Sequence, residues 1–359
     1  MKPHFHWDNR RLEFLARFIL ALIQQQTVNL SKIARVLNIR VHPNSNQKRC
    51  ARFIKDFEIN LEDVAAFLIQ GLPNRFDLLL DRTEHFFGKT SVNLLTFAAA
   101  IGPTRFPLIW DDLGKTGNSN TKQRKDILKS LLKVLDPKRI QVLIADREFI
   151  GSKWLAWLKN KRIPFTIRIR ANTIIRLGPF KDRADRIFKH LKVGDVLDFR
   201  LSCVLMGVRG YVSATRLETG ELLIVFRSHQ RLNGLEVYAR RWGREQPARC
   251  CFVSKTIECL FKSFRTAGFN LSCSHVTDAV RVERLGSGLD ETVPISQLQR
   301  CIVLVNETTN SLLMSHFALA ERKRLTHQIR APLSERVVEP LHVIRLTRIL
   351  SYGKMPLAR

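Results

Sequence analysis

The stretch Val142–Phe149, read as V-L-I-A-D-R-E-F, is a short apolar run that ends in an acid, Asp146. An ionised acid inside an apolar strand carries a large desolvation cost, so Asp146 is expected where the strand stops. Open α/β sheets place their chemistry at the carboxyl ends of their strands. A second stretch, Phe76–Asp81 (F-D-L-L-L-D), has the same pattern and closes on Asp81. The sequence therefore predicts two aspartates at strand ends.

Alternating strands and helices surround these two stretches. The predicted elements are strands at Phe76–Leu80, Val92–Ile101 and Phe106–Trp110, a helix at Thr121–Leu135, a strand at Ile140–Ala145, a helix at Lys153–Asn160 and a strand at Phe165–Arg170. Three antiparallel strands followed by a strand, a helix and a strand are the order of a ribonuclease-H-like core. The predicted fold class is therefore α/β, with a mixed sheet and flanking helices.

The second half of the chain changes in character. Shorter β-like runs at Val196–Cys203, Gly210–Ala214 and Glu221–Phe226 predict a β-rich insertion over residues 176–232. The core is expected to resume as a helix within 236–268, which gives a catalytic domain over 73–285. Residues 286–359 show no clear alternation and are expected to form a divergent C-terminal tail of uncertain order.

Residues 1–72 predict a helical and basic region. The segment T-V-N-L-S-K-I-A-R-V-L predicts a short helix that Asn29 or Ser31 caps, and the basic, amphipathic segment Asn44–Lys55 follows. Two short helices with a tight connection are typical of helix-turn-helix-like DNA binding. The residues expected to contact DNA are Lys48, Arg49 and Arg52. A small helical bundle with a solvated basic face remains the alternative.

The charge balance points to a polyanionic partner. The 359 residues include 60 Lys+Arg and 32 Asp+Glu, for a net charge of +28. Such an excess favours double-stranded DNA, since each neutralised phosphate releases counterions. The longest apolar run, Phe14–Ile23, is short and interrupted by Arg17, so no membrane span is expected. The first ten residues, M-K-P-H-F-H-W-D-N-R, lack the hydrophobic region of a signal peptide, so none is expected. Seven cysteines without C-x-x-C spacing favour a reducing cytoplasm, with nucleoid association when DNA is bound.

A set of longer motifs carries a family resemblance. L-L-L-D-R-T, G-K-T-G-N-S-N-T, I-A-D-R-E-F-I-G and P-F-T-I-R-I-R-A-N occur in this order, and Y-A-R-R-W and I-E-C-L-F-K-S-F-R-T-A-G-F-N follow. Over residues 10–285 the chain resembles bacterial DDE transposases of the insertion-sequence-four family. The resemblance implies metal-dependent cleavage and strand transfer at transposon ends, and a dimer in the DNA complex is expected. It also implies that Asp81 and Asp146 are the first and second metal-binding acids.

The third motif region of that family reads Tyr, two residues, Arg, three residues, Glu, six residues, Lys. Tyr238 and Arg241 match its start and are expected to reach DNA phosphate. Glu245 has the family spacing, but Glu258 has the family context. The resemblance therefore favours Glu258 as the third catalytic and metal-binding acid, with Glu245 as the alternative. Arg265 stands where the family has Lys, which keeps a phosphate-binding charge.

The segment Gly243–Lys255, between Trp242 and Thr256, is interpreted as an insertion within this motif. Together with the divergent tail, it leaves two alternatives to an active transposase open. One is a catalytically impaired remnant that still binds DNA, and the other is a nuclease of the same fold.

The chemistry implied is that of a two-metal site. Three carboxylates can hold two divalent ions about 4 Å apart. Hard oxygen ligands suit Mg²⁺, with Mn²⁺ as a possible substitute. Arg168 and Arg170 alternate along one strand and are expected to contact phosphates, while Glu148 is expected to support the site or pair with an arginine. Each aspartate alone would more simply be a helix cap or the partner of an arginine.

Overall fold

The computed structural model describes residues 8–25, 29–56, 60–87, 90–101, 104–230 and 232–242. The chain divides into two compact units. The first contains the helices up to Gly71 and is assigned Phe86–Thr90 as well, and the second contains Leu72–His85 and the described residues from Ser91 on, which form most of the sheet. Four of the sequence predictions, on Glu245, Glu258, Arg265 and the segment Gly243–Lys255, fall outside the described residues, as does the predicted tail 286–359. Within the described residues, no helix is both long and apolar enough to cross a membrane.

The first unit contains the helices α1 (Asn9–Gln25), α2 (Leu30–Leu37), α3 (Pro43–Asp56) and α4 (Leu61–Gln70). α2 begins after Asn29, whose side-chain oxygen accepts hydrogen bonds from the backbone N–H groups of Ser31 and Lys32 at 3.1 and 3.2 Å. Asn29, and not Ser31, is therefore the cap. α2 packs against both α1 and α3 and buries Ile33 and Leu37.

A buried asparagine fixes the connection between α2 and α3. The side chain of Asn46 is fully buried, and its Nδ2 donates to the carbonyls of Ala34 (3.0 Å), Asn38 (2.9 Å) and Val41 (3.4 Å). These carbonyls lie at the end of α2 and in the turn that follows it, where the backbone lacks helical partners. Asn46 thus sets where α3 leaves α2.

The second unit is built on a mixed sheet. Its strands are β1 (Phe76–Phe87), β2 (Thr90–Ile101), β3 (Thr104–Asp112), β4 (Ile140–Ala145), β5 (Phe165–Ile169), β6 (Ile174–Leu177), β7 (Phe180–Arg183), β8 (Val196–Asp198), β9 (Cys203–Leu205), β10 (Val208–Arg216) and β11 (Leu222–Arg227). The order is β3-β2-β1-β4-β5-β11-β10-β9-β6-β7, and β8 pairs with β10. β1–β4 and β4–β5 are parallel pairs, while β2–β3 and β5–β11 are antiparallel.

In the described part of the second unit, four helices lie between or after these strands in the sequence. They are α5 (Thr121–Leu132), α6 (Ser152–Asn160), α7 (Ala184–Ile187) and α8 (Gly234–Ala239), with short 3₁₀ turns at Pro137–Arg139, Arg147–Phe149 and Arg240–Trp242. α5 begins with a reciprocal capping box, in which Asn120 and Gln123 each accept the other's backbone N–H at 2.9 Å. The predicted α/β fold with a mixed sheet and helices is confirmed.

β4 occupies the centre of the sheet, and its burial explains its sequence. Val142, Leu143, Ile144 and Ala145 are all fully buried. A parallel strand that is covered on both faces is typically a continuous apolar run rather than an alternating one. The run V-L-I-A thus ends where the strand ends, directly before Asp146.

Two predicted strands miss an observed boundary by more than two residues. β1 does not stop at Leu80 but runs on to Phe87, so that Asp81 lies inside a strand. The extension is possible because β1 continues beside β2 after its pairing with β4 has ended. The predicted run Val196–Cys203 is divided between β8 and β9, which pair with different parts of β10.

The segment predicted as an insertion contributes to the same sheet. β11 pairs with β5 through Ile224↔Ile169 and Phe226↔Ile167, and β10 pairs with β11 on the other side. The strands after β5 thus extend the sheet laterally, and the last of them in the chain, β11, lies directly against β5. This places the start of β11 beside the end of β5.

Candidate active site

The two predicted aspartates lie at the same level of neighbouring strands. The register pairs Leu80 of β1 with Ala145 of β4, so Asp81 and Asp146 each directly follow a paired residue. Asp146 is the first residue after β4 and caps the following 3₁₀ turn, since its Oδ1 accepts the backbone N–H of Arg147 at 2.6 Å. Asp81 is 9% exposed and accepts the backbone N–H of Arg82 at 2.9 Å.

One buried arginine connects these two acids. Arg241 donates from Nη2 to Oδ2 of Asp81 at 2.7 Å, and its Nη1 lies 3.7 Å from Oδ2 of Asp146. Tyr238, on α8, donates from its hydroxyl to Oδ1 of Asp146 at 3.3 Å. The structure therefore brings together four residues that the sequence analysis selected from three distant segments.

The electrostatics of this cluster follow from its burial. Burial raises the pKa of Asp81, and the charge of Arg241 opposes that rise. Burial also raises the pKa of Tyr238 strongly, so its phenol is protonated. For Arg241, burial alone would lower the pKa, but Asp81, Tyr238 and Asp146 together outweigh burial and raise the pKa. The guanidinium is therefore charged and offsets the negative charge of the two acids.

The close approach of α8 to the sheet depends on a glycine. Asn233 caps α8 by accepting the backbone N–H of Leu235 at 2.9 Å. A Cβ atom on Gly234 would lie 2.6 Å from Oγ of Ser213 and 3.0 Å from Nη1 of Arg227. Since no side chain fits there, the first turn of α8 rests directly on β10 and β11, which carries Tyr238 toward Asp146.

A second network holds the residue two positions after Asp146. Arg82 donates to both oxygens of Glu148, from Nε at 3.1 Å and from Nη2 at 3.3 Å, and also to Oδ1 of Asn93 at 3.1 Å. The buried Asn93 in turn donates to the carbonyls of Lys115 (2.8 Å) and Gly117 (2.7 Å). The predicted pairing of Glu148 with an arginine is thus present. Arg82 and Asn93 were not among the predicted residues, because their partners are distant in sequence.

Arg168 and Arg170 line a separate, arginine-rich cavity of about 440 Å³. Its charged lining residues are Arg147, Arg168, Arg170, Arg183, Asp185 and Glu221. Arg168 forms a short ion pair with Glu221, which also lies 3.3 Å from Nη1 of Arg147. Arg168 on β5 and Arg170 just after it therefore line a cavity that also contains carboxylates. Glu221 was not predicted, because nothing in its local sequence relates it to β5.

The predicted DNA-contacting residues of the first unit lie on α3. Lys48, Arg49 and Arg52 are all exposed there. The Arg49 guanidinium lies 5.5 Å from the centroid of the Phe14 ring, within cation–π range. These side chains form one basic surface on the helix that Asn46 positions.

The described residues include two of the three acids predicted as metal ligands. Among them, no group of three or more His, Cys, Asp or Glu side chains could hold a metal ion. Asp81 and Asp146 offer two carboxylates that reach the same guanidinium. The third predicted ligand, Glu258, lies outside the described residues.

Comparison with known proteins gives a domain-level similarity. Residues 89–251 match a family model described as the transposase DDE domain. The matched segment contains Asp146, Tyr238 and Arg241, while Asp81 and Glu258 lie outside it. No curated protein matches the chain.

Among solved structures, the chain is similar to a piggyBac transposase, determined by cryo-electron microscopy as a synaptic complex with hairpin DNA. The identity is 10% and the TM-score 0.42, with 97% of this chain and 77% of that chain covered. At these values no residue role can be transferred from one chain to the other. The sequence of residues 89–251 is what relates the chain to a family, and that segment is similar to the transposase DDE domain.

Proposed function

We propose that the chain is a DDE transposase of a bacterial insertion sequence, which cleaves DNA at transposon ends and transfers the strand through a ribonuclease-H-like core. The observation that carries the proposal is the convergence of Asp81 and Asp146 on one buried guanidinium, that of Arg241. The similarity of residues 89–251 to the transposase DDE domain supports it independently. The strand order β3-β2-β1-β4-β5, with parallel central pairs, agrees with the proposed core.

The two carboxylates fit a divalent ion in their donor chemistry. Both present hard oxygen atoms, which Mg²⁺ and Mn²⁺ prefer. Their mutual repulsion is offset here by the positive charge of Arg241. Asp81 and Asp146 converge and require a nearby cation, so together they could provide two ligands of a metal site. Glu258 (or Glu245) would provide the third.

Divalent ions held by Asp81, Asp146 and Glu258 would activate the attacking oxygen and stabilise the leaving oxygen of the phosphodiester. The chain's own residues position the DNA around that chemistry. Arg241 would turn its guanidinium from the carboxylates toward a DNA phosphate, a pairing in which arginine is strong because its donors are planar and bidentate. The protonated hydroxyl of Tyr238 would keep the orientation of the Asp146 carboxylate.

DNA binding is proposed to involve both units. On α3, Lys48, Arg49 and Arg52 form an exposed basic surface on the second helix of a short helix pair, the arrangement of helix-turn-helix proteins. Arg265, Arg168 and Arg170 are proposed as phosphate contacts of the catalytic domain. The net charge of +28 supports a polyanionic partner for the chain as a whole. We further propose that the DNA-bound form is a dimer, since a transposon has two ends.

The test is metal-dependent nicking of supercoiled plasmid by the full chain. The variant Asp146→Ala should abolish nicking in Mg²⁺ while leaving DNA affinity nearly unchanged. Asp126→Ala is the matched control, because Asp126 is an exposed acid on α5 whose ion-pair partner among the described residues is Lys129. Nicking by Asp146→Ala at the control's rate would refute the proposal.

A joining assay distinguishes the alternatives that the sequence left open. Covalent transfer of an end oligonucleotide into a plasmid is expected of a transposase. Nicking without joining would identify a nuclease of the same fold. DNA binding without nicking in either Mg²⁺ or Mn²⁺ would identify an impaired remnant.

A further inference from the structure

The arginine-rich cavity described above is distinct from the acid cluster, although one of its lining residues, Arg147, directly follows Asp146 in the sequence. It lies between the end of β5, which carries Arg168 and leads into Arg170, and the start of β11, which follows Glu221. Arg147 reaches it from the 3₁₀ turn that Asp146 caps. The same β5–β11 pairing that extends the sheet therefore creates the cavity.

The cavity has an excess of positive charge. Four guanidinium groups face two carboxylates among its lining residues. Asp185 is engaged by Arg183, from Nε at 3.1 Å and from Nη2 at 2.5 Å. Glu221 must therefore offset Arg147 and Arg168, and Arg170 has no ion pair within the described part of the chain.

Glu221 does not accept hydrogen bonds from all the N–H donors of Arg147 and Arg168. A single oxygen, Oε1, accepts from both Arg147 and Arg168. Nε of Arg168 is buried and has no hydrogen-bond partner within the described residues. A group with more acceptor oxygens than one carboxylate would use these donors better. A phosphate is such a group, and arginine binds it in a bidentate manner.

The position of the Glu221 side chain also allows it to rotate out of the cavity. Its side chain is 49% exposed, whereas that of Arg168 is 14% exposed. The backbone on either side of it is held by a tight turn, with hydrogen bonds from Leu217 N–H to the Glu221 carbonyl (2.9 Å) and from Gly220 N–H to the Leu217 carbonyl (2.8 Å). Rotation of the side chain into solvent would thus free the arginines without any movement of β11.

We propose that this cavity binds one phosphodiester of DNA beside Asp146, and that the Glu221 carboxylate occupies the cavity until that phosphate displaces it. The inference rests on the proposed function for the nature of the anion. In the DNA-free chain, Glu221 keeps Arg147 and Arg168 paired; on DNA, both arginines and Arg170 contact the phosphate. Glu221 therefore lowers the affinity for DNA in general and makes occupancy of the cavity depend on a well-placed phosphate.

The test compares two variants that remove the same charge. Glu221→Gln frees the cavity, whereas Glu218→Gln changes an exposed glutamate of the same β10–β11 turn that does not line the cavity. Affinity for a fluorescent DNA duplex is measured without divalent metal over a range of salt concentrations. Glu221→Gln should bind about tenfold tighter than Glu218→Gln, and its salt slope should be steeper by about 1. Arg170→Gln should weaken binding and reduce the slope by about 1.

The outcomes separate this inference from the proposed function. Equal affinity and slope for the two glutamate variants would overturn the inference while leaving the proposed function intact. A wild-type chain that does not bind duplex DNA would instead refute the proposed function. Inorganic phosphate is the second probe, read as a shift in thermal midpoint. If it stabilises the wild-type chain while Glu221→Gln leaves duplex affinity unchanged, the occupant is free phosphate and the assignment to DNA is wrong.

Discussion

Nη2 of Arg241 lies 2.7 Å from Oδ2 of Asp81, although 160 positions separate the two residues in the chain. Their side chains are 7% and 12% exposed, so the pair is shielded from solvent. Removing one partner of a buried pair leaves an uncompensated charge, which typically costs more than the pair itself contributes. The ion pair thus links Asp81 on β1 to the 3₁₀ turn Arg240–Trp242 that follows α8.

Arg241→Met tests this coupling through stability. We expect the free energy of unfolding to fall by about 3 kcal/mol, because Asp81 is left buried beside Asp146 without a counter-charge. The measurement is urea unfolding of the full chain, and the control is the double variant Asp81→Asn/Arg241→Met, which should recover most of the loss. A single variant as stable as the wild type would show that the pair contributes nothing.

The proposed contact between the basic surface of α3 and DNA can be tested by how much this surface contributes to the salt dependence of DNA binding. Replacing Lys48, Arg49 and Arg52 by Gln should reduce the salt slope of duplex binding by about 2 to 3. Each phosphate that is no longer neutralised keeps its counterion, so fewer counterions are released on binding. The control replaces three exposed lysines of the second unit by Gln, namely Lys122, Lys138 and Lys153. If both triple variants lose affinity equally, net charge alone explains the effect and α3 has no special role.

Asn46 links the stability of the first unit to the placement of that surface. Asn46→Ala removes three hydrogen bonds, among them the one to the buried carbonyl of Ala34, for an expected loss of about 2 kcal/mol in the free energy of unfolding. DNA affinity should fall with it. Asn44→Ala, an exposed position on the same helix, is the matched control and should change neither quantity. An Asn46→Ala chain as stable as this control would contradict the role given to Asn46.

The buried thiol of Cys203 predicts a pH dependence. Burial raises its pKa from 9.0 to about 11 in the folded chain. Between these values the unfolded thiol ionises while the folded one stays protonated, so stability is lost as the pH rises. The wild type should lose about 1.4 kcal/mol per pH unit relative to Cys203→Ala over that range, and nothing below it. A difference between the two proteins that stays constant from pH 8 to pH 11 would show that the thiol is not shielded.

The sequence predicted those parts of the fold that depend on local pattern. The boundaries of β4 were predicted correctly because its apolar run stops where burial stops, at Ala145. The end of β1 was not predicted, since the acid at Asp81 is tolerated inside a strand when Arg241 compensates its charge. The pairing of β11 with β5 could not be predicted either. Such long-range antiparallel pairing depends on packing between segments and not on the composition of either one.

The site shows the same division. Asp81, Asp146, Tyr238 and Arg241 were selected by motif. The register of β1 with β4 aligns the two aspartates, and the packing of α8 on the sheet brings Tyr238 and Arg241 to them. Arg82 and Glu221 were missed because their contacts, to Glu148 and to Arg168, join residues that are far apart in sequence. A sequence motif identifies the residues proposed to act on a ligand. The residues that hold those side chains in place can be identified only from the contacts in the folded structure.

The most direct test of the central claim is the metal dependence of plasmid nicking by the variant Asp146→Cys. If Asp146 is a metal ligand, exchange of its oxygen for sulfur should lower nicking in Mg²⁺ by about a hundredfold or more, since several kcal/mol of transition-state stabilisation are lost. Mn²⁺, which accepts softer ligands than Mg²⁺, should restore a large part of the activity. Nicking in Mg²⁺ at the wild-type rate would contradict the assignment of Asp146, and with it the proposed DDE chemistry.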